Sequence, residues 1–134
     1  MICAVIDTNV IVSSLISKNP EFPTVKVVEM VFEGNVKPLY NDEIIAEYEE
    51  VLKRPKFKFE HFKIDAIITY IKDFGISTSR TSFEGSLPDE SDRVFYEISL
   101  TEEDSFLVTG NLKHYPVRPQ IVTPSQFIEI VKNK

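Results

Sequence analysis

The sequence predicts an α/β fold, a three-layer sandwich in which helices flank a mainly parallel central sheet. Short apolar runs rich in β-branched residues alternate along the chain with longer segments whose apolar residues recur at helical spacing. With 134 residues and a hydrophobic content of 43%, the chain has the length and the apolar residues for one core. We therefore expect a single domain over residues 1–134.

The first half of the chain is predicted to contain two strands and four helices. The predicted elements are a strand over Ile2–Ile6, helices over Thr8–Ile16 and Thr24–Phe32, a strand over Val36–Tyr40, a helix that Asn41 or Asp42 caps and Pro55 stops, and a helix that carries Ile64 to Phe74 and ends at Gly75. The uninterrupted apolar run at the N-terminus is typical of a strand buried on both faces. That strand is therefore expected near the middle of the sheet.

The second half is predicted to alternate in the same way. Its expected elements are a surface loop or weak strand over Ser77–Gly85, a helix from Pro88 to about Leu100, strands over Ser105–Thr109 and Gln120–Thr123, and a helix over Pro124–Lys132. Parallel α/β sheets bind their ligands beyond the carboxyl ends of the strands. Asp7 and Asn111 are both expected at that edge.

The chain is acidic, with a net charge of −6 and a pI near 5.0. This balance argues against a protein that coats nucleic acid non-specifically, because phosphate binding normally uses a basic face. A nuclease remains compatible with it, since a bound metal ion supplies the positive charge that the side chains lack.

Three features of the sequence favour a cytoplasmic protein. No apolar stretch approaches the roughly 20 residues that a membrane-spanning helix needs. The first residues lack basic side chains and reach an acid, Asp7, directly after the first strand, which is unlike a secretory signal. Cys3 is the only cysteine, so no internal disulfide can form, and its apolar neighbours predict a buried side chain without a chemical role.

Three acids stand where this fold can bring them together: Asp7 after the first strand, Glu47 partway along a helix, and Asp92 at the start of a later helix. Carboxylate oxygens are the ligands that Mg²⁺ and Mn²⁺ prefer. Helical periodicity does not choose between Glu47 and Glu49, because each lies about 100° from the centre of the apolar face. Asp7 and Asp89 also fit as N-caps of the helices that follow them.

Four motifs, in this order, resemble those of the PIN-domain nucleases, and specifically a bacterial group of toxin components from toxin–antitoxin pairs. The motifs are VIDTNV at 5–10, DEIIAEY at 42–48, DESDRVF at 89–95 and LVTGNLKHY at 107–115. Each motif is only modestly specific by itself, but the four occur in the right order and on the right elements. The resemblance covers nearly the whole chain and implies a PIN-like fold.

By that resemblance, Asp7, Glu47 and Asp92 match the metal-binding, catalytic acids of a ribonuclease that uses Mg²⁺ or Mn²⁺. The residues expected to support them are Thr8 and Asn9 of the first motif, Asp89 as a more peripheral acid, Thr109, and Asn111 at the fourth acidic position. The resemblance also implies an RNA substrate, a homodimer, and a cognate antitoxin that blocks the acidic site.

Asn111 departs from the family pattern, because its amide oxygen can ligate a cation but brings no negative charge. Asp104 is not expected to replace the missing acid, since the strand between them spans roughly 17 Å at about 3.3 Å per residue. The departure leaves open a catalytically weak or inactive PIN-fold protein that binds RNA or a protein partner. A haloacid-dehalogenase-like phosphatase is disfavoured because Asn9 stands where that family needs a second Asp, and a receiver domain because its paired acids are missing.

A cationic segment after the third helix is the candidate for RNA contact. It consists of Lys53, Arg54, Lys56 and Lys58, interleaved with Phe57 and Phe59. Cations would take the phosphates and an aromatic ring would stack on a base. The alternative is a helix end with favourable cations, followed by two core phenylalanines. His114 follows the loop of the fourth motif and is expected to be an isolated surface histidine; the alternative is a contact with the substrate.

Overall fold

The computed structural model describes residues 1–134 and contains five strands and six α-helices. In chain order they are β1 (Ile2–Ile6), α1 (Thr8–Ile16), α2 (Pro23–Phe32), β2 (Val36–Tyr40), α3 (Asp42–Leu52), α4 (His61–Phe74), β3 (Ile76–Ser77), α5 (Arg93–Thr101), β4 (Phe106–Val108), β5 (Ile121–Val122) and α6 (Pro124–Lys132). Short 3₁₀ turns at Glu90–Asp92 and Leu112–His114 precede α5 and follow β4. None of the helices combines the length and the apolar character needed to span a membrane.

The strands form one sheet in the order β3-β2-β1-β4-β5, and every pair of neighbours is parallel. The predicted α/β class is therefore confirmed, and the sheet is parallel throughout. The strand β1 lies at the centre, with Ile6 in register with Val108 of β4. Because these two strands end side by side, Asp7 and Thr109 emerge next to each other, and the Asp7 N–H donates to the carbonyl of Val108 (3.0 Å).

The core explains how α3 reaches this edge of the sheet. Its buried residues Ile44 and Tyr48 belong to a cluster of 30 buried apolar side chains. The ring of Tyr48 lies 6.1 Å from that of Phe95 in α5, and its hydroxyl donates to the backbone carbonyl of Ile6 at the end of β1. That contact fixes the middle of α3 beside the end of the central strand.

Local capping sets where two of the helices start. Asn41 caps α3 by accepting the N–H of Ile44 (2.8 Å), which settles the choice between Asn41 and Asp42. The helix predicted to open at Pro88 instead begins with a 3₁₀ turn, because the side chain of Asp89 accepts the N–H of Ser91 (3.0 Å). Regular α-helical structure starts only at Arg93.

The segment expected to be a surface loop or weak strand begins with the end of β3 and is anchored to two helices. Arg80 donates to Glu43 of α3 (2.7 Å) and to Glu97 of α5 (2.8 Å). Burial alone would raise the pKa of Glu97, but hydrogen bonds from the N–H of Phe83 and from Arg80 outweigh it and lower the pKa. The loop after β3 is therefore held in place by the buried, ionised carboxylate of Glu97, which accepts these hydrogen bonds.

Candidate functional site

The candidate site is centred on Asp7, whose side chain is only 3% exposed and stands between β1 and α1. Its Oδ1 accepts the N–H of Asn9 at 3.5 Å, which is a weak capping bond. The side chain of Asn9 is exposed on the first turn of α1. Asp7 is thus the N-cap of α1. This capping uses only Oδ1 of its carboxylate, through one weak hydrogen bond.

The other oxygen of Asp7 is held by two buried hydroxyls. Thr109 Oγ1 donates to Asp7 Oδ2 at 2.8 Å, and the Tyr115 hydroxyl donates to the same atom at 3.1 Å. Burial raises the pKa of Asp7, and these hydrogen bonds oppose the rise without cancelling it. A carboxylate in this environment is a candidate for binding a cation.

Glu47 approaches from α3 and is half-buried. Its Oε2 accepts a hydrogen bond from Thr8 Oγ1 at 3.4 Å. Burial, followed by the negative charge of Glu50, raises the pKa of Glu47, and the charge of Asp7 adds to the rise. Glu49, which periodicity could not separate from Glu47, is exposed, and its side chain forms neither a hydrogen bond nor an ion pair.

Asp92 ends the 3₁₀ turn before α5 and is 8% exposed. Burial, followed by the negative charge of Asp7, raises the pKa of Asp92 to about 6. Its Oδ2 lies 3.0 Å from Nδ1 of His114. Asp89, three residues earlier, is exposed. Its Oδ1 accepts hydrogen bonds from the N–H and the hydroxyl of Ser91. The two aspartates of this motif therefore differ: Asp89 caps the turn, and Asp92 faces the other acids.

The donor atoms of this region suit a divalent cation. Asp89, Asp92 and His114 each offer one ligand atom within 4.8 Å of the others. Burial raises the pKa values of Asp7, Glu47 and Asp92, and the negative charge of Asp7 adds to the rise in Glu47 and in Asp92. A divalent cation relieves such repulsion, and carboxylate oxygens are the donors that Mg²⁺ and Mn²⁺ prefer.

Asn111, at the expected fourth acidic position, is linked to the site through its backbone. Its N–H donates to Thr109 Oγ1 at 3.0 Å, and that hydroxyl in turn donates to Asp7. The side-chain amide of Asn111 is half-buried and has no hydrogen-bond partner in the protein. The missing charge is therefore not replaced by another acid from this loop.

Two site residues were not foreseen from the sequence. The expectation that His114 is an isolated surface histidine is wrong, because its ring contacts the buried Asp92. Tyr115 is buried and bonds to Asp7, although an aromatic residue in a loop ordinarily indicates core packing alone. Their position was the one feature of the sequence that could have indicated a role in the site: both lie in the loop that follows the carboxyl end of β4.

The two cations nearest α3 are already paired with acids. Lys53 contacts Asp65 of α4 (3.1 Å), and Arg54 contacts Glu50 (2.8 Å). The charge of Arg54 also lowers the pKa of Glu47, opposing the effects of burial and of Glu50. Among the cations of this segment, Arg54 is therefore the one whose positive charge acts on Glu47.

The remaining cations of the segment are exposed. Lys56 lies over the ring of Phe57, with Nζ 5.1 Å from the ring centroid, and Lys58 forms no ion pair. The rings of Phe57 and Phe59 stack on each other at 5.2 Å and pack against the core. The phenylalanine rings are thus packed within the protein, while the ammonium groups of both lysines are exposed to solvent.

Comparison with known proteins agrees with this geometry. A family model described as a PIN domain matches residues 3–113, a range that includes all three acids. No curated protein matches the chain significantly. Members of the matched family are generally nucleases and typically use divalent metals. The chain therefore belongs to the PIN-domain family.

Proposed function

We propose that this protein is a metal-dependent ribonuclease that hydrolyses phosphodiester bonds of RNA. The observation that supports the proposal is the position of Asp7 near Glu47 and Asp92: Thr8, the residue after Asp7, donates to Glu47, and the negative charge of Asp7 raises the pKa values of both acids. Burial also raises the pKa of each of the three acids, an arrangement typical of functional sites.

These three acids would hold Mg²⁺ or Mn²⁺. When bound, the cation supplies Lewis-acid chemistry, polarising a phosphoryl oxygen and lowering the pKa of a coordinated water. The protein's own groups set the position of the ligands: Thr109 and Tyr115 hold Asp7 Oδ2 and leave Oδ1 with only one weak bond. Hydrogen bonds of this kind fix ligand orientation in metal sites.

The RNA backbone would contact Lys56 and Lys58, which are exposed and have no acidic partner within ion-pair distance. Lys53 and Arg54 form ion pairs with Asp65 and Glu50. They would bind phosphates only if these ion pairs were broken. Base stacking on the phenylalanines is not part of the proposal, because the two rings stack on each other.

The test is cleavage of labelled single-stranded and structured RNAs with Mg²⁺ or Mn²⁺, with EDTA as one control. Two pairs of variants are matched: Asp7→Asn with Asp104→Asn, and Glu47→Gln with Glu49→Gln. Asp104 and Glu49 are exposed acids outside the site. We expect cleavage that EDTA, Asp7→Asn and Glu47→Gln abolish and that the two control variants retain. Cleavage that survives EDTA or Asp7→Asn would contradict the proposal.

A second candidate is a catalytically inactive PIN-fold protein that binds RNA or a protein partner. Asn111 favours it, because a neutral amide with no protein partner stands where the family pattern has an acid. The same assay separates the two candidates. RNA binding without cleavage, restored to cleavage by Asn111→Asp, would support the inactive reading.

We further propose that the physiological role is that of a toxin, inhibited by a cognate antitoxin and acting as a homodimer in the cytoplasm. The support is the motif resemblance described above. Expression in a bacterial host should arrest growth for the wild type and not for Asp7→Asn. Sedimentation of the purified protein should give the mass of a dimer. Normal growth or a monomeric mass would remove the corresponding part of this proposal.

A further inference from the structure

One loop supplies the side-chain donors to two of the three site acids. The loop runs from Thr109, at the end of β4, to Tyr115. Thr109 and Tyr115 donate to Oδ2 of Asp7, and His114 contacts Oδ2 of Asp92 at 3.0 Å. In each carboxylate one oxygen is held by the loop. The other oxygen of Asp7, Oδ1, has a single 3.5 Å bond.

The direction of the His114 contact follows from its partner. An ionised carboxylate only accepts hydrogen bonds, so the hydrogen must be on Nδ1 of the imidazole. The Asp92 side chain does not cap its own helix, and its 3.0 Å contact is with His114. The Tyr115 hydroxyl, besides its bond to Asp7, also lies close enough to interact with the Asp92 carboxylate. His114 and Tyr115 are therefore the loop residues that hold the Asp92 side chain at one angle.

We propose that His114 is a positioning residue: its Nδ1–H holds Oδ2 of Asp92 so that Oδ1 stays directed to the cation. The inference rests on the proposed metal-dependent function and adds a role for a residue outside the acidic set. Since Asn111 brings no charge, the site has fewer anionic ligands, and the orientation of those that remain matters more for affinity.

Two conservative variants distinguish this role from others that a histidine could have. His114→Asn places an amide N–H near the position of Nδ1, whereas His114→Gln places its amide farther out, nearer the position of the second ring nitrogen. His114→Ala removes the donor altogether. The matched control is His61→Asn, because His61 is the other histidine of the chain, exposed at the start of α4.

The measurement is Mn²⁺ binding to the purified full chain by titration calorimetry, together with thermal melting in EDTA. We expect His114→Ala and His114→Gln to weaken Mn²⁺ binding about 10- to 100-fold. His114→Asn should stay close to the wild type, and His61→Asn should match it. Melting in EDTA identifies any variant that fails to fold, and the Asn–Gln comparison is then made on the folded pair.

Two outcomes would overturn the inference. Equal Mn²⁺ affinity for the wild type and all three variants would mean that the His114 bond does not orient Asp92. Equal loss for His114→Asn and His114→Ala would mean that the imidazole acts through its other nitrogen. These results are independent of turnover: a wild type that binds Mn²⁺ without cutting RNA refutes the ribonuclease proposal, and the variant series still decides this one. A wild type that binds no Mn²⁺ refutes both.

Discussion

Replacing Asp92 by Asn tests the electrostatic description of the site in the metal-free protein. The amide oxygen keeps an acceptor for His114, but the side chain no longer titrates. In the wild type, burial and then the charge of Asp7 raise the pKa of Asp92 from 3.8 to about 6. The folded state therefore binds this proton more tightly than the unfolded chain does.

The sign and size of the effect follow from linkage. A raised pKa stabilises the fold fully below about pH 4, where Asp92 is protonated, and this contribution is lost as the pH rises through about 6. Each pKa unit is worth about 1.4 kcal/mol, so the loss is on the order of 3 kcal/mol. The variant lacks this loss, and at pH 7 it should be more stable than the wild type.

The assay is urea denaturation of both proteins from pH 4 to pH 7.5 in metal-free buffer, with Asp104→Asn as the control. The free energy of unfolding of the wild type should fall relative to Asp92→Asn across this range, while Asp104→Asn should follow the wild type. Adding Mn²⁺ at pH 7 should reverse the difference, since only the wild type keeps the full ligand set. A difference that is constant with pH, or that grows in favour of the wild type, would refute the electrostatic argument.

Three further predictions concern separate features. Tyr115→Phe removes one of the two hydroxyl donors to Asp7, and we expect a loss of about 1–3 kcal/mol in unfolding free energy by urea denaturation. Arg80→Gln breaks the link between α3 and α5, and limited proteolysis should cut the loop after β3 faster than in the wild type. Combined Lys56→Gln and Lys58→Gln should weaken RNA binding and lower its log–log salt dependence by about 0.7 per lost phosphate contact.

Two of these predictions have matched controls. Tyr40→Phe removes an exposed hydroxyl contact and should be nearly neutral in denaturation. Lys18→Gln removes an exposed lysine at the far end of α1 and should leave RNA binding and its salt dependence unchanged. An unchanged stability for Tyr115→Phe, unchanged proteolysis for Arg80→Gln, or an unchanged salt slope for the lysine pair would contradict the respective argument.

The sequence predicted the α/β class and most element positions. This was possible because the apolar runs of buried strands and the periodicity of helices can be recognised in short segments of the chain. The first strand, Ile2–Ile6, and the helices Thr8–Ile16 and Pro124–Lys132 match the structure to the residue. The strands predicted at Ser105–Thr109 and Gln120–Thr123 are shorter in the structure, at Phe106–Val108 and Ile121–Val122. Thr109 and Gln120, which flank the regular strands, still form backbone hydrogen bonds to the neighbouring strand.

The order of elements and the motifs that carry Asp7, Glu47 and Asp92 could be read from the sequence, and the motif resemblance favoured Glu47 over Glu49. Helical periodicity could not make that choice, because the two positions are equivalent until α3 is packed against β1. The tertiary structure brings Glu47 to Thr8 and leaves Glu49 exposed. It also decided that Tyr115 bonds to Asp7 across 108 positions of chain. Such contacts depend on strand register and on the path of the loop after β4, and local periodicity encodes neither.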